Sequence, residues 1–404
     1  VDALIERAAE LHTLSAAVAP PPEGGVGARL RFRLPPALHF GRGVVDQLPP
    51  VLGELGVERP LLVTDPGVAA TGLPERLQGE LRAAGFDPEV WDGARPEPGE
   101  EHAEACRGRL EELGSDGVVA LGGGSTIDVA KVAAVVAGRG GRVSEYWGFD
   151  KVRRPALPLV TVPTTAGSGS EVSSHAVLIG LEPRKKEVVG GLHVMARAAV
   201  VDPELTHTLP REATLHAALD GLVHALEASV ARRATPMTDA FALPAVARIA
   251  AALPRVIDDP LDAEARAELG LGCLGSGCAM ANANAGAIHA LGYPLSARHG
   301  IPHGLANALV AAATLEYTWP ARPERYAALA RAFGGGEPAE LGARMRAFLG
   351  RVGVELGLEG HGVAEAELAE LAEAANLFRP VLDNTPAELA VADLEEIYRA
   401  AWAA

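Results

Sequence analysis

Over the first half of the chain, short apolar runs bounded by turn residues alternate with helical stretches, and after Pro203 the alternation stops. RPLLVTDPGV reads as a buried strand ending in a turn, ERLQGELRAAGF as a helix and PEVWDG as a strand. EEHAEACRGRLEELG then reads as a helix and DGVVALGGG as a further buried strand. Strands that alternate with helices pair into a mainly parallel sheet covered on both faces. This predicts a Rossmann-like α/β domain. Beyond Pro203 helical stretches follow one another with Pro and Gly as punctuation, so the second half reads as all-α. The expected organisation is a helix and linker over 1–29, an α/β domain over 30–201 and an α-helical domain over 202–404.

Size agrees with two domains, because 404 residues bury a large core and divide into two domains of ordinary length. The net charge of −16 disfavours nucleic acid or an anionic membrane as partner. Cys106, Cys273 and Cys278 form no CxxC pair and no secretory framework; they read as buried small hydrophobes in a protein of the reducing cytoplasm. VDALIERAAELHTLSAAVA lacks a basic segment followed by an apolar core, so it reads as an amphipathic helix and not a signal peptide. APPPEGGVGA links it to the rest. No charged residue occurs from Leu269 to Ala297, long enough to raise the question of a membrane span. Asn282, Asn284, His289 and many Gly and Ala make it instead one buried helix of a soluble domain. Arg is plentiful while Gln, Asn and Lys are scarce, which fits a GC-rich genome and heat tolerance equally.

Two segments of the helical half hold a metal-ligand pattern. In LDGLVHALEASV, Asp220 and His224 are four apart, so on a helix both project from one face about one turn apart. In AIHALGYPLSARHGIPHG, His289 lies among small apolar residues and His303 just before the helical run GLANALVAAATLEY. Each histidine is therefore delivered by its own element. A single such His is most often a satisfied core residue, but one carboxylate and three imidazoles suit one Fe(II) or Zn(II) ion with room for a substrate oxygen.

The α/β half holds a different pattern. In ALGGGSTIDVAK a buried strand runs through Gly122, Gly123 and Gly124 into a helix starting near Ser125. Residues without side chains let a diphosphate approach the backbone, and the helix N-terminus offers N–H groups and positive dipole. A packing turn is the competing reading, since the spacing is not G-x-G-x-x-G. TTAGSGSE, which follows the strand LPLVTV, places Thr164, Thr165, Ser168 and Ser170 together on one loop. Asp65 ends LLVTD, where a carboxylate holds ribose hydroxyls or simply initiates a turn before Pro66.

The order VVALGGGSTIDVAKVAAVVA, PLVTVPTTAGSGSEVSSHAVL, AAVVDPELTHTLP and then the four ligands resembles the iron-containing alcohol dehydrogenase family, whose architecture is dehydroquinate synthase-like. The resemblance runs from about Arg31 to Tyr398. It implies that Gly123, Gly124 and Ser125 hold the diphosphate of NAD(P) and that the Thr164, Thr165 and Ser168 loop lines the nicotinamide end. It also implies a ribose contact for Lys186, with Lys185 as its one-residue rival, and for Asp65 a preference for NAD, with NADP as the alternative. The cofactor is then expected in the cleft between the domains.

The metal would polarise a carbonyl next to the nicotinamide, or lower the pKa of an alcohol in the reverse direction. Tyr293 stands where many members of the family carry a further histidine, which puts an imidazole proton relay in doubt; it either donates a hydrogen bond or packs beside Pro294. His175, eleven residues before Lys186, is a candidate proton relay, an anion contact or a core histidine. Met280 and Asn282 are expected to wall the substrate pocket, while Arg298 is either an anion contact or a solvated loop arginine beside a solvent-facing His299. The leading expectation is a metal-dependent, NAD(P)-linked dehydrogenase of small alcohols, a cytoplasmic homodimer or larger homo-oligomer. Reduction of an anionic semialdehyde or maleylacetate-like oxo acid, a dehydroquinate synthase-like lyase and a silent metal binder are the alternatives.

Overall fold

A computed structural model describes residues 30–181 and 184–403. The expected helix and linker over 1–29 lie outside the described residues. The chain forms two compact units, Arg33–Leu209 on the one hand and Pro210–Ala404 with residues 30–32 on the other. The break thus comes eight residues later than the expected end at Val201, because Pro203–Thr206 forms a 3-10 turn capped by Asp202 that stays with the α/β unit. Phe32 belongs with the helices, where its ring stacks on Phe241.

The first unit carries strands β1 (Ala37–Phe40), β2 (Pro60–Val63), β3 (Glu89–Trp91), β4 (Gly117–Gly122), β5 (Gly148–Phe149), β6 (Leu159–Pro163), β7 (His175–Leu181), β8 (Arg184–Gly190) and β9 (Ala198–Val201). Its helices are α1 (Leu48–Glu54), α2 (Pro66–Ala69), α3 (Leu73–Ala83), α4 (Glu100–Leu113) and α5 (Gly124–Arg139). Six strands form a fully parallel sheet in the order β1-β9-β6-β4-β2-β3. The inner strands read as unbroken apolar runs because both faces are covered. Successive side chains of a strand point to opposite faces. Accordingly Leu61, Val63, Val118 and Ala120 pack into one core with α4 and α5, and Leu62, Val119 and Leu121 into a second core with α1 and α3. β7 and β8 form an antiparallel hairpin that β5 joins as a small second sheet. The hairpin was not foreseen from the sequence, although β7 alternates between half-buried and buried positions along HAVLIG.

In the second unit the helices are α6 (Arg211–Val230), α7 (Pro236–Asp258), α8 (Ala263–Ala283), α9 (Ala287–His299), α10 (His303–Thr318), α11 (Pro323–Ala332), α12 (Leu341–Arg351), α13 (Leu368–Asn376), α14 (Arg379–Leu382) and α15 (Val391–Trp402). Among the described residues the last strand ends at Val201, so the α/β-then-α fold class expected above is the one found. The charge-free run from Leu269 to Ala297 is two helices and not one: α8 stops at Ala283, Asn284 turns at φ 66°, and α9 starts at Ala287. A positive φ is foreign to a helix, and Asn tolerates it better than most residues. Among the described residues the helix long and apolar enough to span a bilayer by composition is α7, which buries Ala242, Val246, Ile249 and Leu253 along one stripe.

Candidate metal and dinucleotide sites

From Ala218 to Val230 every residue of α6 is buried, including Asp220, His224 and Glu227. A buried carboxylate is costly unless it is paired, so the local chemistry calls for partners. α9 and α10 supply them. Gly304, in the first turn of α10, lies so close to α6 that a Cβ there would meet the His216 carbonyl oxygen at 1.9 Å and Asp220 Cβ at 3.0 Å. That approach delivers His303. His224 Nε2 lies 3.7 Å from Asp220 Oδ1, while His289 Nε2 and His303 Nε2 each lie 3.6 Å from it. The ligand atoms of Asp220, His224 and His289 all fall within 4.8 Å of one another. Ligand atoms about 2.1 Å from a tetrahedral ion are about 3.4 Å apart, so the spacings to Asp220 Oδ1 are already close to those of a bound ion.

The chemistry of these donors fits a cation. Burial alone would raise the Asp220 carboxyl, but the imidazoles of His224, His303 and His289 overcome it and hold the group well below the usual carboxylate range. His289 Nε2 is buried with no hydrogen-bond partner among the described residues. Its Nδ1 faces Glu227 Oε2 at 2.5 Å, and Glu227 Oε1 accepts from the Ile288 N–H at 2.7 Å. Burial opposes charge on His289, but the carboxylates of Glu227 and Asp220 prevail and push its pKa up to about 10. Asn307, fully buried on α10, donates to Asp220 Oδ1 at 3.1 Å and approaches His303 Nε2 at 3.3 Å. Neither Glu227 nor Asn307 was picked out from the sequence. Both carry a helical signal: Glu227 is three residues after His224 on one face of α6, and Asn307 four after His303 on α10.

Tyr293 stacks on His303 with centroids 5.4 Å apart and planes 6° apart, meets His289 edge-on at 6.0 Å and lies 4.8 Å from Phe378. Burial raises the pKa of its hydroxyl, with Glu227 and Asp220 adding to the effect. Met280 and Asn282 sit in the last turn of α8, where the Asn282 amide donates to the Cys278 carbonyl at 2.9 Å. Arg298 is exposed, as expected of a solvated arginine, but it lies in the last turn of α9 and not in a loop, paired with Glu370. The His299 side chain is only 12% exposed, with Glu367 Oε1 at 3.8 Å, so the solvent-facing expectation is corrected too. Cys106, Cys273 and Cys278 are free and buried.

In the α/β unit, β2 and β4 are neighbours, but the chain continues from β2 to β3 on one side and to β4 on the other. Such a switch point opens a crevice at the strands' carboxyl ends, where ligands of open α/β sheets bind. Asp65 follows β2 there and Gly123 follows β4. Asp65 Oδ1 caps α2 by accepting from the N–H groups of Gly67 and Val68, and Oδ2 accepts from Thr126 Oγ1 at 3.1 Å. The turn-initiating reading of Asp65 is therefore realised, with acceptor capacity remaining on the carboxylate. α5 begins at Gly124 without a side-chain cap, and Gly123, Gly124 and Ser125 are half-exposed. A Cβ on Gly124 would meet Ser168 Cβ at 2.9 Å, so the glycine turn and the hydroxyl loop lie against each other. The Thr164 N–H donates to the Gly122 carbonyl, which holds the two together. A glycine cradle at an uncapped helix N-terminus fits a diphosphate. Lys186 lies on β8 and pairs with Glu97 at 2.9 Å, and His175 opens β7 half-buried.

Residues 35–203 match the family model "Iron-containing alcohol dehydrogenase", and 214–402 match "Fe-containing alcohol dehydrogenase family, C-terminal". The chain is 34% identical to long-chain-alcohol dehydrogenase 1 of Geobacillus thermodenitrificans (strain NG80-2), over 92% of this chain and 97% of that protein. It is 32% identical to the NAD-dependent methanol dehydrogenase of Bacillus methanolicus, covering 91% and 98%. The crystal structure of a 1,3-propanediol oxidoreductase superposes with a TM-score of 0.89 at 29% identity, covering 92% of this chain and 100% of that one.

Proposed function

The chain belongs to the iron-containing alcohol dehydrogenase family, and from that premise we propose that it interconverts a small, uncharged alcohol with its aldehyde or ketone, using NAD and one divalent ion, Fe(II) or Zn(II). The ion's proposed ligands are Asp220, His224, His289 and His303. The observation that carries this reading is the buried, unpartnered Nε2 of His289 beside Asp220 Oδ1. When bound, the ion supplies Lewis acidity at the substrate oxygen and NAD exchanges the hydride.

The protein's own residues do the rest. Glu227 accepts from His289 Nδ1 and so keeps Nε2 as the donor atom. Asn307 orients the Asp220 carboxylate. Tyr293 stays protonated, which supports packing against His303 or donating a hydrogen bond and argues against a role as base. We assign the proton relay on the α/β side to His175, the diphosphate to Gly123, Gly124 and Ser125, and the nicotinamide end to Thr164, Thr165 and Ser168. Lys186 retains its proposed ribose contact once released from Glu97. The Asp65 carboxylate, fixed by Thr126, favours NAD by repelling a 2′-phosphate.

Met280 and Asn282 are kept as proposed pocket walls. Pairing of Arg298 with Glu370 neutralises the cation an anionic oxo acid would need, which favours an uncharged substrate over the maleylacetate-like alternative. Free, buried cysteines support a reducing cytoplasm and the acidic charge balance supports small molecules as partners; a homo-oligomer is kept as part of the proposal. The test is NADH oxidation by the metal-reconstituted protein across a panel of aldehydes and ketones. Turnover with uncharged aldehydes that is lost on chelation is expected. An unchanged NADH signal throughout would refute the proposal, since a lyase regenerates its cofactor and a silent metal binder has no turnover.

A further inference from the structure

Two charged residues interrupt the otherwise apolar stretch IDVAKVAAVVA of α5, and the function described so far uses neither. Lys131 is 1% exposed. Burying an ammonium is costly unless its protons are satisfied, and here they are over-satisfied. Nζ donates to the His175 carbonyl at 2.8 Å, Ser173 Oγ at 2.9 Å, the Ser173 carbonyl at 3.0 Å and Ser170 Oγ at 3.2 Å. An ammonium has three protons, so four acceptors share them. Asp128, three residues earlier, accepts from Ser170 Oγ at 2.5 Å and from the Val177 N–H at 2.9 Å. Gly124, Asp128 and Lys131 recur at the spacing that keeps residues on one helix face. That face meets the 164–177 segment at successive points: Gly124 at Ser168, Asp128 at Ser170 and Val177, Lys131 at Ser170, Ser173 and His175.

The helix that presents the glycine turn is therefore bonded over its first two turns to the loop that presents the hydroxyls. Glu171, also buried beside Lys131, adds a second carboxylate to the cluster. We propose that Lys131 and Asp128 are positioning residues that staple the Thr164–Val177 loop to α5, so that diphosphate turn and nicotinamide loop form one rigid cradle whose geometry sets the affinity for the dinucleotide. The proposal rests on the NAD reading above. Ser170 is the weak link of the staple, because its single hydroxyl accepts from Lys131 and donates to Asp128.

The experiment uses the full chain with its metal and no substrate, and titrates NADH by fluorescence while amide hydrogen exchange is followed over 164–177. Ser170→Ala is expected to weaken NADH binding about tenfold and to speed exchange of the loop, since a hydrogen bond to charged groups is lost at both partners. Ser170→Thr keeps the hydroxyl and is expected to restore binding to within threefold of the unaltered protein. Lys131→Met, which leaves two carboxylates without their cation, is expected to weaken NADH binding by about a hundredfold with metal content unchanged. Should that variant fail to fold, the Ser170→Ala and Ser170→Thr pair decides. NADH binding by Ser170→Ala within twofold of the unaltered protein overturns the proposal, as does failure of Ser170→Thr to rescue. Weakened binding with unchanged loop exchange also overturns it, because Ser170 would then touch the cofactor directly. Failure of the unaltered protein to bind NADH at all would instead remove the NAD reading, and this proposal with it.

Discussion

Glu227→Gln isolates the role of the carboxylate behind the metal ligands. Glu227 is 4% exposed; its Oε2 meets His289 Nδ1 at 2.5 Å and its Oε1 accepts from Ile288 N–H at 2.7 Å. With a carboxylate there, the Nδ1 proton is held, so the proton that His289 gives up to a cation is the one on Nε2, on the side of Asp220. Glutamine has the same shape but one acceptor in place of two. If its oxygen stays with Ile288 N–H, its amide donates to His289 Nδ1 and drives the ring proton to Nε2, the wrong tautomer for coordination. If it flips, two donors face each other at Ile288. Either arrangement forfeits one hydrogen bond to a charged group, about 1.5–3 kcal/mol. At 1.4 kcal/mol per decade that is about 10- to 150-fold in metal affinity, in line with the effect of losing outer-shell partners elsewhere. Chelator competition on the purified variant, for Zn(II) and anaerobically for Fe(II), gives the dissociation constant directly, with NADH affinity as internal control. A metal affinity within twofold of the unaltered protein would show that Glu227 does not orient His289, and the tautomer argument would fail.

His289→Ala should abolish most metal affinity and turnover while NADH binding, read on the same sample, stays within a few-fold; near-normal aldehyde reduction by the metal-stripped variant would make the metal incidental. Asp65→Gly should improve the use of NADP relative to NAD in steady-state kinetics, at a stability cost of a few tenths of a kcal/mol for the exchanged helix cap; a strong NADP preference before substitution would contradict the role given to Asp65. Burial raises the Glu171 pKa to about 7, so between the ordinary carboxylate range and pH 7 the folded state binds a proton the unfolded state has lost. Stability should fall as pH rises through that window, and Glu171→Gln should flatten the fall in a Tm-against-pH series. An unchanged slope would show that Glu171 is not the group responsible.

Elements and their faces were legible in the sequence because periodicity is a local property. Continuous apolar runs such as PLLV and VVALG declared strands buried on both faces, and the four-residue spacing of Asp220 and His224 put them on one side of a helix before any tertiary contact was known. Gly123 and Gly124 were legible for the same reason, as a strand-to-helix turn without side chains. Partners were not legible. Glu227 is an ordinary glutamate in α6 until α9 brings His289 Nδ1 to it from 62 residues away, and Asp128 and Lys131 look like mispatterned charges until the loop around Ser170 folds over them from about forty. His299 read as solvent-facing for want of any view of Glu367, just ahead of α13, beside it. The break at Asn284 escaped too, because composition records that a run is apolar but not where neighbouring helices make it turn. A side chain's type and phase are written in its own segment, whereas the charge that satisfies it when buried arrives from elsewhere in the chain, and only the assembled core decides which one.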